Sequence, residues 1–303
     1  MSTRQAAVLG SPVAHSLSPL LHSVAYRCLG LEGWSYGYRE TTAAELPAVV
    51  AELDASWAGL SLTMPLKQAV QPLLDVIDPL AEVTGAVNTL VVTPGRDGRA
   101  GTLSGFNTDV EGIVTALREV APAGWQPGSA TILGARATAS SALAALGELG
   151  VTDAQLLARS IGGPGSALLA AHQMGLSPRH RPWRDPAAGA SAVLERGLPD
   201  VVISTVPAGA TDELAEQLDD RLGAEGSLAG SILLDVVYHP WPTPLVELWQ
   251  RRGGTVAPGW AMLLHQAVAQ VRLFTGRAPG AADVDAMRTA LTAELAERSR
   301  SAS

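Results

Sequence analysis

The sequence predicts an α/β protein, and three observations carry that expectation. Short β-rich runs alternate with Ala/Leu-rich helical stretches along the chain, the pattern of parallel strands covered by helices. At mid-chain an apolar run from Ala130 to Leu133 meets a glycine and a helix-forming stretch, "TILGARATASS", as a first strand passes its chain to a phosphate-facing helix. A chain of 303 residues that is 47% apolar can fill two cores or one large one.

Taken in order, "AAVLG" reads as a strand and "SPLLHSVAYRCLGL" as a helix ended by Gly30. "AAELPAVVAELD" is helical, "WAGLSLTM" a strand and "AVQPLLDVI" a short helix. "AVNTLVVT" and "LSGFNTD" form a strand pair around the turn "PGRDGRAG". "DVEGIVTALREV" opens a more regular half, with strands at "ATILGA", "DAQLLAR", "DVVIST" and "SILLDVVY". "WAMLLHQAVAQVRLFTG" is apolar all round, a buried helix that Gly276 ends. The polar tail "AERSRSAS" is expected to be disordered.

Composition removes several classes. A formal net charge of −8 argues against a protein that coats nucleic-acid phosphates. The one cysteine, Cys28, excludes an intrachain disulfide framework and suits a reducing cytoplasm. The six histidines show no ligand spacing with acidic partners, so no metal is expected. "MSTRQAAVLG" lacks the apolar core of a signal peptide, and no run of about 18 apolar residues goes uninterrupted. A soluble cytoplasmic protein, with no membrane partner, is the expectation.

The glycine turn admits two readings. Gly134 supplies the tight turn and Ala139 a small residue for helix–strand packing, but Arg136 stands where a second glycine would let backbone approach a pyrophosphate. It is either an ordinary βα turn with a solvated arginine, or a variant whose guanidinium meets the phosphate itself. Thr138, Ser140 and Ser141 add hydroxyls where the helix amides already favour an anion.

Other stretches decide between them. "GSPVAHSLSPLLH" carries Ser16 and Ser18, "LSLTMPLK" ends in Lys67, "GAVNTL" holds Asn88, and "GFNTD" ends in Asp109. "DVVYHPWPTPL" and "GWAMLLHQA" follow near the C-terminus. In this order, around the glycine turn, they resemble the shikimate dehydrogenases from about residue 6 to 277.

The resemblance implies two domains, an N-terminal α/β substrate domain and a Rossmann-like dinucleotide-binding domain. The first would span residues 1–108, completed by C-terminal helices in 259–303, and the second residues 109–258, with the active site in the cleft between them. It implies reversible NADPH-dependent reduction of 3-dehydroshikimate to shikimate, on the route to chorismate and the aromatic amino acids, by a monomer or homodimer. Lys67 and Asp109 would be the catalytic pair, with Ser16, Ser18, Thr63, Asn88, Tyr238 and Gln266 around the substrate. NADP would meet Gly134, Ala135, Arg136, Ala137 and Thr138 of the turn, Arg159 and Ser160 after the second strand, and Thr205 and Val206 of "STVPAG". Gly259 and Met262 would lie against the nicotinamide. The family usually has glycines where this chain has Arg136 and Ala137, and many relatives carry Asn where it has Ser61.

The residue chemistry is compatible with those roles. Two serines two apart in extended chain point the same way, suiting one carboxylate, although Ser18 reads equally well as a helix cap. Carbonyl reduction needs a proton donor at the developing alkoxide, which a lysine ammonium oriented by a carboxylate provides. Asp109 alone reads as the cap of the helix that follows it. Arg159, in place of an acid after the second strand, favours a 2′-phosphate and hence NADP. The alternatives are a quinate/shikimate dehydrogenase using NAD, and a non-catalytic shikimate-binding paralogue with a degenerate glycine loop. Retention of both Lys67 and Asp109 speaks against the second.

Overall fold

The computed structural model describes residues 3–163 and 165–301. The chain divides into two compact units, Met1–Gly112 with Leu263–Ser303, and Ile113–Met262. The divisions fall inside two helices, α5 and α11 below, whose first residues are Asp109 and Gly259.

The first unit contains β1 (Arg4–Gly10), α1 (Ser18–Cys28), β2 (Trp34–Glu40), α2 (Leu46–Ala51), β3 (Trp57–Leu62) and α3 (Leu66–Ala69). It continues with β4 (Val76–Ile77), α4 (Pro79–Thr84), β5 (Thr89–Pro94), β6 (Ala100–Phe106) and the start of α5 (Asp109–Val120). The sheet runs β2-β1-β3-β5-β6-β4. It is mixed: β1 is parallel to β2 and β3, whereas β5 runs antiparallel to β3 and β6. On one face Leu46, Val49 and Val50 of α2 share a cluster with Leu9, Leu60 and Leu90 of the strands.

In the second unit come β7 (Ser129–Leu133), α6 (Ala137–Glu148), β8 (Asp153–Ala158), α7 (Ala167–Gln173), β9 (Arg179–Pro182) and α8 (Pro186–Leu194). Then follow β10 (Val201–Ser204), α9 (Asp212–Leu222), β11 (Ile232–Asp235), α10 (Pro244–Arg251), β12 (Thr255–Pro258) and the start of α11 (Gly259–Thr275). All strand pairs are parallel, in the order β12-β11-β10-β7-β8-β9. This is the doubly wound, Rossmann-type order, whose reversal falls between β7 and β10. Strands buried on both faces, such as "VVIS" and "ILLD", read as continuous apolar runs for that reason.

The chain then returns to the first unit through α11 and α12 (Ala281–Ser301), and α12 packs along α1. Phe274 of α11 lies on Gly59 of β3, where an added Cβ would strike its ring and the Leu90 carbonyl.

Several expectations are corrected. The stretch "AVQPLLDVI" is not one helix: α3 stops at Ala69, a 3₁₀ turn covers Gln71–Leu73, and Val76–Ile77 pairs with β6. Pro72, without an N–H, cannot continue a helical ladder. The helix expected over "AAELPAVVAELD" shortens to Leu46–Ala51, with Pro47 in its first turn. The tail is helical through Ser301, held by Arg298, which pairs with Glu294 at 2.8 Å and donates to the His15 carbonyl at 2.8 Å. Ala302 and Ser303 lie outside the described residues. Among the described residues no helix is long and apolar enough to cross a membrane, and no group of three or more His, Cys, Asp or Glu is placed to hold a metal.

Candidate active site

One edge of the first sheet collects six of the eight residues expected as the catalytic pair and around the substrate. The carboxyl ends of β1, β3 and β6 share it with the amino end of β5, as the parallel and antiparallel pairings require. Ser16 and Ser18 follow β1, Thr63 and Lys67 follow β3, Asn88 precedes β5, and Asp109 follows β6. Ligands of α/β sheets gather at such an edge.

Lys67 is carried by the short helix α3, whose first residue, Leu66, is fully buried and anchors it. The Lys67 carbonyl also accepts from Val87 N at 2.9 Å, tying the lysine's backbone to the segment before β5. Its Nζ donates to Asp109 Oδ2 at 2.5 Å, with the two side chains 15% and 6% exposed. The other carboxylate oxygen, Oδ1, accepts from Asn88 Nδ2 at 2.7 Å. A sheltered ion pair gains little net stability after both charges are desolvated. Its value lies in presenting an oriented ammonium whose remaining protons can reach a ligand.

The capping readings of Ser18 and Asp109 are corrected. Ser18 is the first residue of α1, after Leu17 at the N-cap, which makes no side-chain capping bond. Asp109 is the first residue of α5, and its backbone N–H is taken by Asn107 Oδ1 at 3.0 Å while its own carboxylate turns to Lys67 and Asn88. Ser16 Oγ accepts from Ser18 N at 3.2 Å. Ser18, buried, hydrogen-bonds the phenol of Tyr36, which donates to Ser61 Oγ at 2.6 Å. Burial pushes the Tyr36 phenol upward, so it stays a neutral donor. His22 stacks on Tyr36 with ring centroids 3.9 Å apart, and burial lowers it to about 3, so its imidazole is neutral. Thr63 sits against Gly10, where a Cβ would meet its methyl group, and Gln266 Nε2 donates to the Leu263 carbonyl at 2.8 Å.

The second unit holds a cavity of about 530 Å³ at the reversal of its strand order. Gly134 has φ +114°, a conformation that favours glycine, and an added Cβ would strike Thr205 Oγ1. Thr205 bridges the switch point, its N and Oγ1 donating to the Leu133 carbonyl at 2.9 and 2.8 Å. Arg136 occupies the N-cap of α6 in extended backbone and offers no side-chain acceptor to the helix amides, so the first turn of α6 has no side-chain cap. Its Nη1 donates to the Gly162 carbonyl at 3.1 Å. Arg159 and Ser160 line the cavity, as do Ala135 and Val206. These features fit a phosphate-bearing dinucleotide: a turn that only glycine fills, free amides at a helix start, and guanidinium groups beside them.

Not every expected residue reaches this cavity. Ala137 and Thr138 open α6 without lining it, and neither Gly259 nor Met262 lines it. A Cβ on Gly259 would meet the Asp235 carbonyl oxygen at 2.5 Å, so this glycine serves close backbone approach to β11. Ser140 and Ser141 are fully buried and back-bond to the Arg136 and Ala137 carbonyls, which removes them from the phosphate side. Tyr238 is half-buried beyond β11 in the second unit. Asp235, at the end of β11, accepts from Thr243 Oγ1 at 2.8 Å, and burial pushes its carboxyl up.

Sequence reasoning missed other residues. Thr89, Thr108 and Gln270 in the first unit and Trp183, Arg184 and Asp185 on the second unit's cavity drew no attention. Gln270 had a signal, since a glutamine four residues after Gln266 in an apolar helix must find a buried partner. Arg184 had no such signal, because β9, which ends two residues before it, carries no apolar run.

Residues 8–90 match the family model of the shikimate dehydrogenase substrate binding domain, and residues 259–292 that of the shikimate 5'-dehydrogenase C-terminal domain. The chain is 33% identical to the shikimate dehydrogenase (NADP(+)) of Methanothermobacter thermautotrophicus over 294 residues, covering 95% of this chain and 96% of that protein. The crystal structure of Mycobacterium tuberculosis shikimate dehydrogenase aligns with TM-score 0.77 at 39% identity, over 96% of this chain and 99% of that one. The shikimate 5-dehydrogenase of Thermus thermophilus, solved in complex with NADP(H) and shikimate, aligns with TM-score 0.74 at 32% identity, over 95% of this chain and 99% of that one.

Proposed function

This chain belongs to the shikimate dehydrogenase family, and from that premise we propose that it catalyses the reversible NADPH-dependent reduction of 3-dehydroshikimate to shikimate. The observation that carries the reading is the sheltered Lys67–Asp109 pair, 2.5 Å apart at the edge where the carboxyl ends of β3 and β6 meet the amino end of β5.

Ketone reduction builds negative charge on the carbonyl oxygen as hydride arrives at its carbon. In this reading the Lys67 ammonium donates to that oxygen, stabilises the charge as it develops, and hands over a proton to complete the hydroxyl. In the reverse direction the lysine takes the hydroxyl proton. Asp109 fixes where the ammonium points and accepts from a neighbouring substrate hydroxyl. Asn88, whose amide holds Oδ1 of that carboxylate, stops it from rotating. Ser16 and Ser18 bind the substrate carboxylate, and Thr63 and Gln266 take ring hydroxyls. A site of such donors and acceptors rejects analogues that lack an oxygen, because its polar groups would be left unpaired.

The cofactor reading is NADP. Bound, it supplies the hydride. The turn at Gly134 with the first amides of α6 suits the pyrophosphate, and Arg159 with Ser160 suits the 2′-phosphate. The reading includes a cytoplasmic enzyme, consistent with a lone, free, exposed Cys28, acting as a monomer or homodimer.

The test is spectrophotometric. NADP⁺ reduction, followed by the absorbance of the reduced nicotinamide, should depend on shikimate and fall by about 10²–10⁴ in kcat for Lys67→Ala. Quinate and NAD⁺ assayed in parallel separate the related specificity. Turnover surviving Lys67→Ala would remove the proposed mechanism.

A further inference from the structure

Gln270 is 1% exposed on α11, one turn beyond Gln266, and every part of its amide is engaged. Oε1 accepts from Ser61 Oγ at 2.8 Å and faces His22 Nε2 at 3.3 Å. Nε2 donates to Thr89 Oγ1 at 2.9 Å and to the Asn88 carbonyl at 3.3 Å. A backbone carbonyl only accepts, so the amide can face just one way. Asn88 is fixed by the same logic. Thr108 N must donate to its Oδ1, at 2.9 Å, and the Asp109 carboxylate must accept from its Nδ2, at 2.7 Å.

With both amides oriented, the hydroxyls between them point in one direction. Tyr36 donates to Ser61, Ser61 to Gln270, Gln270 to Thr89, Thr89 to Asn88 Oδ1 at 2.7 Å, and Asn88 to Asp109. The series ends on the carboxylate that holds Lys67. At its far end Tyr36 also meets Ser18. Strand register makes this compact, because Ser61 of β3 and Thr89 of β5 are direct cross-strand partners beneath α11. Stability alone does not call for such a series, since apolar groups of the same shape can replace a satisfied buried pair at little cost. Orientation does call for it: each link polarises the next, and the two amides are fixed by the backbone groups they meet, with Thr108 Oγ1 as a further partner of Asn88.

We propose that Gln270 is a positioning residue for the reaction, fixing the Asp109 carboxylate, and through it the Lys67 ammonium, by way of Thr89 and Asn88. The proposal rests on the dehydrogenase reading above. Its chemistry is tested by cutting the series at two places. Thr89→Val removes one hydroxyl at nearly constant volume and leaves Gln270 in its packing. Gln270→Met removes the amide and keeps the length of the side chain.

Each variant should lower kcat about tenfold while the KM for NADP⁺ changes less than about twofold, because orientation and not cofactor binding is lost. The double variant should be no worse than about twofold below the weaker single, since both cuts break one unit. Wild-type kcat in Thr89→Val, or a double loss equal to the product of the singles, overturns the proposal. If Gln270→Met does not fold, Thr89→Val alone decides. A wild-type chain that shows no shikimate-dependent NADP⁺ reduction would instead overturn the dehydrogenase reading, so the two failures are distinct.

Discussion

Arg136 shows what a single residue can change in a βα turn. A glycine there would let phosphate approach bare backbone; here a guanidinium stands at the turn and spends one N–H on the Gly162 carbonyl. Arginine carries five N–H donors, so the remaining ones stay available for an anion seated on α6. The expected outcome for Arg136→Ala is a KM for NADPH raised about tenfold, the loss of one charge-assisted hydrogen bond. The dependence of that KM on salt should weaken as well, because one charge has left the site. An unchanged KM and salt response would return Arg136 to the role of a loop tether. Gly134 carries a stricter demand than Arg136. Its φ of +114° and the contact waiting at Thr205 leave no room for any side chain.

At the scale of elements, Gly59 decides how α11 lies on the first sheet. Phe274 rests where a Cβ would be, and the Leu90 carbonyl blocks the other side. Gly59→Ala should therefore push α11 off β3 and destabilise the first unit by about 1–3 kcal/mol, measured by denaturant unfolding with m unchanged. Because Gln266 and Gln270 ride on that helix, kcat should fall with it; an alanine variant as stable as wild type would mean that α11 repacks freely. The same helix marks what could be read from the sequence. Its burial was legible, since apolar residues occupy all its faces, but the partner of Gln270 was not. That partner lies at Ser61 and Thr89, far away along the chain, and only strand pairing brings those two side by side. The second sheet was legible because its central strands are unbroken apolar runs. The strands "WSYGYRE", "RHRP" and "TVAP" passed unnoticed because edge strands keep one side polar and lack that signal. The glycine turn could be located but not interpreted. Whether Arg136 blocks or serves the turn depends on where a flexible side chain goes, and local pattern does not encode that.

Across the whole molecule, one buried group in each unit responds to acid with the opposite sign. His22, in the first unit, is held near 3 when folded, chiefly by burial, against an unfolded value of 6.5. Between those values the unfolded chain binds a proton that the native state refuses, so stability from His22 is present above pH 6.5 and is lost as pH falls. From about pH 7 to pH 5 that loss is about 2 kcal/mol. Asp235, in the second unit, is displaced the other way: burial raises its carboxyl above the ordinary value. There the native state binds the proton more readily, so its contribution is fully present below the unfolded value and fades as pH rises through the folded one. Mild acid therefore weakens the first unit while sparing the second, and the chain should leave two-state behaviour as pH drops. Calorimetry at pH 7 should give a single transition, and at pH 5 an earlier one should separate from it. Hydrogen exchange at pH 5 should find the earlier opening in β1, β3 and α11 and not in β7 and β10. In His22→Gln, which cannot titrate, the separation should shrink by about 2 kcal/mol. If the wild type and His22→Gln lose stability in parallel from pH 7 to pH 5, the imidazole is not the group that sets the acid limit of the first unit.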